Sequence, residues 1–400
     1  MVEKLVPKIR FSRFTDEWIK IPAGEIFKNV SNKNHDGTLP ILAVTQDKGV
    51  VPRDSIDFDI KTSEKSVKTY KIIEPGDYVI SLRSFQGGIE YSYIKGICSP
   101  AYTILKPKKD IFDDFYKFYL KKDEFISRLN YAVIGIRDGK QISYKDFSEI
   151  KIPYTSVPEQ KRISEFLNVI DNKINLLTRK YENYQNFKKY LMQQIFTQKL
   201  RFDFDEEWNN DTIGNNSEVF GRIGFRGYTV DDLVNKGEGA LTIGGKHISK
   251  DYQLDLSDPE YLSWEKYEES PEIKIYNNDV LLVKTASVGK VCFIENLNEP
   301  ATLNPQLIVF KNIKLNNKFF YYYLTSNLFQ KDIHKIKSTT GIPTITQKEL
   351  LNLNIIYPSL EEQEKIVNLL SIVDKKIFAI DKNIQDIKEF KKGLLQQMFI

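Results

Sequence analysis

Several short stretches of this chain carry residue types that can do chemistry, and each departs from the pattern that its chemistry needs. NPQL (304–307) contains the first two residues of the Asn-Pro-Pro-aromatic motif of adenine-N6 methyltransferases. It lacks the second proline and the aromatic residue that stacks on an extruded base, and no glycine-rich cofactor loop follows a strand upstream. We interpret it as a turn that enters a strand.

A second stretch, GEGALTIGGKHIS (237–249), has the glycines and the lysine of a phosphate-binding loop. The glycine spacing before Lys246 is wrong, and His247 stands where a serine or threonine would coordinate magnesium. We therefore interpret this stretch as an ordinary loop.

Acidic residues followed by Glu-x-Lys are typical of metal-dependent nucleases, but the pattern is also common by chance. It begins at Asp138 and at Asp258, and it ends at Glu149-Ile-Lys151 and at Glu272-Ile-Lys274. The two instances do not occupy equivalent positions in the internal repeat described below. This argues against a shared metal site.

The other reactive side chains are scattered along the chain. His35, His247 and His334 form no ligand pair. Cys98 and Cys292 give no metal or disulfide framework, which suits a reducing cytoplasm. No stretch has the apolar length of a signal peptide or a membrane span. We predict a cytoplasmic binding protein without catalytic residues, metal ligands or cofactors of its own.

The length and composition indicate a globular protein with more than one domain. Its 400 residues exceed what one hydrophobic core usually organises. The 41% hydrophobic and 28% charged residues argue against a disordered chain. A net charge of +4 permits a polyanionic partner without requiring one.

An internal repeat organises the chain, because residues 158–196 align with residues 361–399 without a gap. The identical residues concentrate at the two ends of this segment and far exceed chance. They are Glu159/Glu362, Gln160/Gln363, Ile163/Ile366, Leu167/Leu370, Asp171/Asp374, Lys173/Lys376, Ile174/Ile377, Phe187/Phe390, Lys188/Lys391, Lys189/Lys392, Leu191/Leu394, Gln193/Gln396, Gln194/Gln397 and Phe196/Phe399.

The repeat also extends upstream of both segments. Residues 142–157 align with 345–360, 75–88 with 277–290, 41–48 with 240–247, and 8–18 with 199–208. The predicted fold class is therefore α+β, with a pseudo-two-fold internal repeat. It comprises a mixed α/β domain at 1–157, a long helix at 158–198, a second mixed α/β domain at 199–357 and a second long helix at 358–400.

Each long helix has an apolar seam with mostly heptad spacing, which is typical of a coiled coil. At about 1.5 Å per residue each helix spans roughly 60 Å, longer than either domain is wide. We predict that the seams pack on each other as an antiparallel coiled coil; the alternative is that each helix packs only on its own domain. The seam residues are Ile163, Leu167, Ile170, Ile174, Leu177, Tyr181, Leu191, Ile366, Leu370, Val373, Ile377, Ile380, Ile384 and Leu394, with Phe187 and Phe390 at an interruption of the heptads.

The order of domain, helix, domain and helix resembles the specificity subunits of type I restriction–modification systems. The resemblance covers essentially the whole chain. It is carried by PEQKRI (158–163) and EEQEKI (361–366) at the helix starts, by KKYLMQQIF (188–196) and KKGLLQQMF (391–399) at the helix ends, and by an RF…EW entry to each domain.

This resemblance implies a non-catalytic subunit that recognises a bipartite double-stranded DNA target. Each domain would read one half, and the helices would be the spacer. It also implies partner subunits: two methylation subunits that use S-adenosylmethionine, docked on the exposed faces of the long helices, and restriction subunits that use ATP and magnesium. A chain from a methylation-only system is an alternative. A nuclease or methyltransferase in its own right, or a coiled-coil adaptor that binds only proteins, are the alternatives from the residues alone.

Three pairs of equivalent loops carry the residue types that contact DNA. Arg and Lys read guanine, Asn and Gln read adenine, and lysines, hydroxyls and amides contact phosphate. We expect the glycines beside these loops to form turns, and the aromatic residues of 115–120 and 319–324 to lie in the core. The predicted DNA contacts are Thr45, Gln46, Lys48, Lys246 and His247 in the first loops, Arg83, Ser84, Gln86, Lys284, Thr285 and Ser287 in the second, and Arg137, Lys140, Lys337, Ser338, Thr339 and Thr340 in the third.

Overall fold

The computed structural model of the chain describes residues 5–46, 48–56, 64–82, 84–133, 142–222, 224, 227–338 and 341–400. It divides into two compact units. The first unit is Met1–Arg179 with Asp381–Ile400, and the second is Lys180–Ile380. Each unit therefore contains one globular domain, the start of one long helix and the end of the other.

The first unit is a mixed α/β domain followed by the first long helix. Its strands are β1 Ile19–Pro22, β2 Phe27–Val30, β3 Leu42–Thr45, β4 Gly49–Pro52, β5 Lys71–Ile73, β6 Tyr78–Ile80, β7 Glu90–Tyr91, β8 Gly96–Cys98, β9 Thr103–Pro107 and β10 Lys151–Tyr154. Its helices are α1 Ala23–Ile26, α2 Glu64–Val67, α3 Ser84–Gly87, α4 Phe115–Tyr119, α5 Asp123–Val133, α6 Tyr144–Glu149 and α7 Val157–Phe196, the last of which continues into the second unit.

The second unit repeats this plan. Its strands are β11 Asn209–Thr212, β12 Glu218–Phe220, β13 Leu233–Val234, β14 Gly239–Ile243, β15 Glu260–Ser263, β16 Val280–Val283, β17 Val291–Phe293, β18 Ala301–Leu303, β19 Leu307–Lys311 and β20 Asn354–Tyr357. Its helices are α8 Ile213–Asn216, α9 Trp264–Glu268, α10 Asn317–Thr325, α11 Asn327–Ile336, α12 Gln347–Leu351 and α13 Leu360–Met398, the last of which continues into the first unit.

The internal repeat is visible in the sheets. An antiparallel sheet with the order β2-β9-β6-β7 in the first unit corresponds to β12-β19-β16-β17 in the second. The strand that enters each domain pairs with the strand that leaves it, as β1 with β10 and β11 with β20. Continuous apolar runs such as Val280–Val283 are buried on both faces, as a central strand requires. The predicted polar loop after β6 is in part a short helix, α3.

Both predicted long helices are present, and their ends take part in the domain cores. In the first unit the seam residues Ile163, Leu167 and Ile170 share one core with Leu394 of α13. In the second unit Leu191 of α7 shares a core with Ile366, Leu370 and Val373. The start of one long helix therefore packs with the end of the other in each unit.

The placement of Phe187 and Phe390 on the seam is wrong. Both side chains are exposed, whereas the seam residues of the regular heptads are buried or half-buried. An interruption of the heptads changes the face on which the next residues lie, because a helix turns about 100° per residue.

Buried Glu-Gln pairs fix both helix starts to their domains. Gln160 donates to the Thr155 carbonyl (2.7 Å) and accepts from the Phe112 N–H (2.9 Å). Its counterpart Gln363 makes the same two contacts, with Pro358 (2.9 Å) and Asn316 (2.8 Å). The EQ of each helix start is thus a structural clamp.

Aromatic cages hold both helix ends. Phe399 packs with ring centroids 5.2–6.2 Å from Trp18, Phe115 and Tyr119 in the first unit. Phe196 packs 5.5–6.5 Å from the equivalent Trp208, Phe319 and Tyr323 in the second unit. The expectation that the aromatic residues of 115–120 and 319–324 belong to the core is confirmed by their burial.

The chain enters each domain in the same way at these helix ends. The Leu200 N–H donates to the Gln194 carbonyl (3.1 Å), and the Ile9 N–H donates to the Gln397 carbonyl (3.0 Å). The first contact joins neighbours in sequence, and the second joins the two ends of the chain. In the part of the chain that the structure describes, no helix is both long and apolar enough to cross a membrane.

Candidate nucleic-acid interface

The first two predicted loops of the first unit come together. The Thr45 hydroxyl accepts from the Lys48 N–H (3.0 Å) and donates to the Gly49 carbonyl (3.2 Å), which closes the β3–β4 turn. Gln46 and Lys48 are exposed on this turn. The Gln46 amide donates to the Gln86 side-chain oxygen at 3.4 Å, so two predicted adenine readers lie side by side.

Glycines make this approach possible. A Cβ on Gly87 would lie 2.6 Å from Cγ of Gln46, and one on Gly88 would lie 2.2 Å from the Leu120 carbonyl oxygen. Gly88 also has a φ of +84°, which favours glycine. Gly87 therefore permits close packing of the two loops, while Gly88 forms the turn.

Ser84 has a structural environment. It is buried, and its hydroxyl accepts from the Ser81 N–H (2.8 Å). A buried hydroxyl that is already bonded is not available to a phosphate, so we leave Ser84 out of the proposed interface.

A cavity of about 240 Å³ lies beside this turn in the first unit. Lys48 lines it together with Lys117, Lys121 and Lys391. Lys121 pairs with Glu90, Lys117 with Asp114, and Lys391 with Asp171, so most of this positive charge is neutralised locally.

In the second unit, the first predicted loop is held by its own contacts. Lys246 pairs with Asp258 (2.7 Å) and Glu260 (2.9 Å), and these hydrogen bonds raise the pKa of Lys246. His247 is buried: Nδ1 accepts from the Gly244 N–H (2.9 Å), and Nε2 lies 3.0 Å from the Asp258 carbonyl. This leaves His247 no ring nitrogen for DNA in the conformation described, so we leave it out of the proposed interface.

The second and third loops of the second unit form one surface. Thr285 pairs with Thr344 in an antiparallel bridge, and the Ala286 N–H donates to the Pro343 carbonyl (2.9 Å). The Ser338 hydroxyl accepts from the Thr344 N–H (3.0 Å), which fixes the base of the third loop. Ser287 and the neighbouring Ile342 are exposed, while Lys284, Thr285, Lys337 and Ser338 are half-buried.

Sequence reasoning missed Gln306, which joins the first loop to the second. Its side chain accepts from the Gly245 N–H (3.2 Å), and its carbonyl accepts from the Lys284 N–H (2.8 Å). Its place in NPQL, interpreted above as a turn, was the available signal. That turn is confirmed: the Asn304 side chain accepts from the Gln306 N–H (2.9 Å), and β19 starts at Leu307.

Five predicted contacts, and one residue of the nuclease-like patterns, lie outside the described residues. The other pattern is not assembled into a site, because Asp258 pairs with Lys246 while Lys274 pairs with Glu268. Among the residues that the structure describes, no three His, Cys, Asp or Glu side chains are placed to hold a metal ion. The residues outside the described ranges are Arg83, Arg137, Lys140, Thr339, Thr340 and Asp138.

Comparison with known proteins identifies the family. The family model for the type I restriction modification DNA specificity domain matches residues 14–184 and 229–389, which fall in both halves of the repeat.

Two sequence relatives are specificity subunits of type I restriction enzymes. The MjaVIII subunit of Methanocaldococcus jannaschii is 25% identical over 96% of this chain and 92% of its own length. The EcoKI subunit of Escherichia coli is 20% identical over 83% of this chain and 75% of its own length.

Solved structures show the same fold. The crystal structure of a type I restriction–modification S subunit from M. genitalium matches with a TM-score of 0.59 and 15% identity, over 99% of both chains. A chain from a study of type I system assembly and conformational transition matches with a TM-score of 0.56 and 18% identity, over 96% of this chain and 97% of its own. With the family model matching most of its length, the chain belongs to the DNA specificity subunits of type I restriction–modification systems.

Proposed function

We propose that this specificity subunit reads a bipartite DNA target, with one half-site for each globular domain. The main support is that the family match and the sheet order recur in both halves, so that both domains are built for the same task. The polar loop residues differ between the halves. Positions that read sequence must differ if the half-sites differ, because base edges are distinguished by side-chain type.

The long helices are proposed to pack as an antiparallel coiled coil that sets the gap between the half-sites. Equivalent ion pairs join the start of one helix to the end of the other in each unit. Lys391 pairs with Asp171 (2.5 Å), and Lys188 pairs with Asp374 (2.6 Å). The recurrence of this pair supports one common register.

We place the methylation subunits on exposed apolar side chains of the long helices. Val169 and Phe390 in the first unit are equivalent to Ile372 and Phe187 in the second, and all four are exposed. Exposed apolar groups on a helix mark interaction surfaces, and two equivalent surfaces suit two copies of one partner. Restriction subunits would join this complex, and S-adenosylmethionine, ATP and magnesium would bind those partner subunits.

The test is duplex binding by the complex of this chain with its methylation subunits, measured by fluorescence anisotropy. The probes are a duplex with the complete target, mapped from adenine methylation in cells, and duplexes in which one half is scrambled. Scrambling either half should weaken binding, and affinity should fall as salt rises. Equal affinity for all of these duplexes would refute the proposal.

A further inference from the structure

A polar pocket of about 340 Å³ opens in the second domain, beside the paired second and third loops. Lys284, which follows β16, and Gln347, which begins α12, face each other across it. The remaining lining residues are Val219, Phe220, Gly221, Arg222 and Glu272.

Arg222 is part of the wall of this pocket. It is buried; its Nε donates to the Leu303 carbonyl (3.1 Å), and its Nη2 donates to the Thr302 hydroxyl (3.2 Å). Burial lowers the pKa of its guanidinium from the usual value. Its donors are directed at the protein, so Arg222 shapes the pocket.

Lys284 and Gln347 differ from Arg222. Both are half-buried, and within the described ranges neither side chain has a hydrogen-bond or ion-pair partner. Burial lowers the pKa of the Lys284 ammonium. A half-buried polar group without a partner is costly unless a ligand satisfies it, so both side chains suit a polar occupant.

The backbones that carry the two side chains are fixed. The Lys284 carbonyl accepts from the Ile345 N–H (3.0 Å), which ties β16 to the third loop. Gln347 follows a capping box, in which the Thr346 hydroxyl accepts from the Glu349 N–H (3.1 Å). A Cβ on Gly221 would lie 3.3 Å from Nε2 of Gln347, so the glycine leaves room for the amide. The pocket thus presents two pre-positioned donors.

The internal repeat provides a comparison for this pocket. The clamps, cages and helix ion pairs occur in both units, whereas Lys284 and Gln347 are replaced in the first domain by Leu82 and Tyr144. The Tyr144 hydroxyl donates to the Phe27 carbonyl (2.9 Å) and serves the fold. The polar pair therefore belongs to what distinguishes the second domain from the first.

We propose that Lys284 and Gln347 are specificity-determining residues that read base edges in the half-site of the second domain. This inference rests on the proposed function. A lysine ammonium donates to the acceptors N7 and O6 of guanine, and a glutamine amide pairs with N6 and N7 of adenine in the major groove.

The experiment maps adenine methylation in cells that express the chain with its methylation subunits, and measures duplex binding by the purified complex. Gln347→Leu and Lys284→Met should each reduce discrimination at one base pair of the second half-site by about 5- to 150-fold. The first half-site and the gap should be unchanged. Because Gln347→Leu removes no charge, the salt dependence of binding should also be unchanged.

Two further variants complete the design. Gln347→Glu keeps the shape of the side chain but presents acceptors, so the preferred base should change from adenine to cytosine. Lys250→Met removes an exposed lysine of the same domain that does not line the pocket, and the motif should be retained. Melting temperatures of the complexes identify any variant that acts through folding.

The inference is overturned if Gln347→Leu, Gln347→Glu and Lys284→Met all leave the motif intact. It is also overturned if they weaken binding to every duplex equally, since that result indicates contact with phosphate. Absence of a split motif with the unaltered chain would instead refute the proposed function itself.

Discussion

Glu159 and Glu362 occupy equivalent buried positions, but they have different numbers of partners. Glu159 accepts from Arg10 (2.7 and 2.8 Å), from the Trp18 indole (3.0 Å) and from the Thr155 hydroxyl (2.6 Å). Glu362 accepts from Arg201 (3.2 and 2.7 Å). The Trp208 indole N–H, the counterpart of Trp18, has no partner among the described residues.

Glu159→Ala should therefore destabilise the chain more than Glu362→Ala does. Removing Glu159 leaves Arg10 and Trp18 without their buried acceptor, which costs about 3–5 kcal/mol for a buried ion pair. Denaturant unfolding monitored by tryptophan fluorescence measures both variants. An equal shift of the midpoint in the two variants would contradict this explanation.

The two cysteines should be unreactive in the folded chain. Burial raises the pKa of both Cys98 and Cys292 to about 12, so only about 10⁻⁴ of each thiol is thiolate at pH 8. Unfolding returns the pKa to about 8.5, and labelling by a disulfide reagent should become fast. Rapid release of one equivalent of reagent by the native chain at pH 8 would show that a thiol is accessible.

The sequence identified the types of the loop residues but not their neighbours. Gln46 and Gln86 were predicted separately as adenine readers, and their contact depends on the sheet that carries both loops. Ser84 and His247 looked like their exposed neighbours, because burial of a polar side chain depends on tertiary contacts. Gln347 was missed because its strand neighbour is distant in sequence.

At the scale of elements, each long helix is anchored by the aromatic residue at its end. Phe399 is 2% exposed, whereas Phe390 on the same helix is 59% exposed. Burial of the final phenylalanine, together with the ion pair one or two turns earlier, explains why the helix ends retain their sequence in both repeats.

Phe399→Ala should cost about 3–5 kcal/mol of stability, as expected for a buried phenylalanine. Amide hydrogens in the last turns of α13 should then exchange faster, because the cage no longer holds them. Phe390→Ala is the matched control, and it should change stability by less than about 0.5 kcal/mol. Equal protection of the helix end in both variants would argue against the cage as the anchor.

The long helices could be predicted because identity and heptad spacing are both local signals. The interruption near Phe187 and Phe390 was visible, but the face it would expose was not, since that depends on what packs beside the helix. The cages were not predicted either. They bring Trp18 to Phe399, and only the closed repeat makes such a contact possible.

At the scale of the whole molecule, the repeat separates parts that are duplicated from parts that differ. The clamps, cages and ion pairs are common to both units, and the polar loops are not. This division is what a spacer with two readers requires, because the spacer must be constant while each reader recognises its own bases.

Inserting one heptad into each long helix should widen the gap in the target. Seven residues add about 10.5 Å of helix, which equals about three base pairs at about 3.4 Å each. Adenine methylation mapping with the lengthened chain should show both half-sites unchanged and the gap longer. An unchanged gap would show that something other than helix length sets it.

The most direct test of the bipartite account is a domain exchange followed by methylation mapping. Residues 1–157 are replaced by the corresponding domain of another specificity subunit, with the helices and the second domain retained, and the chain is expressed with its methylation subunits. We predict a split motif in which one half changes while the other half and the gap stay the same. A change in both halves, or a motif that is not split, would contradict the account of two independent readers on one spacer.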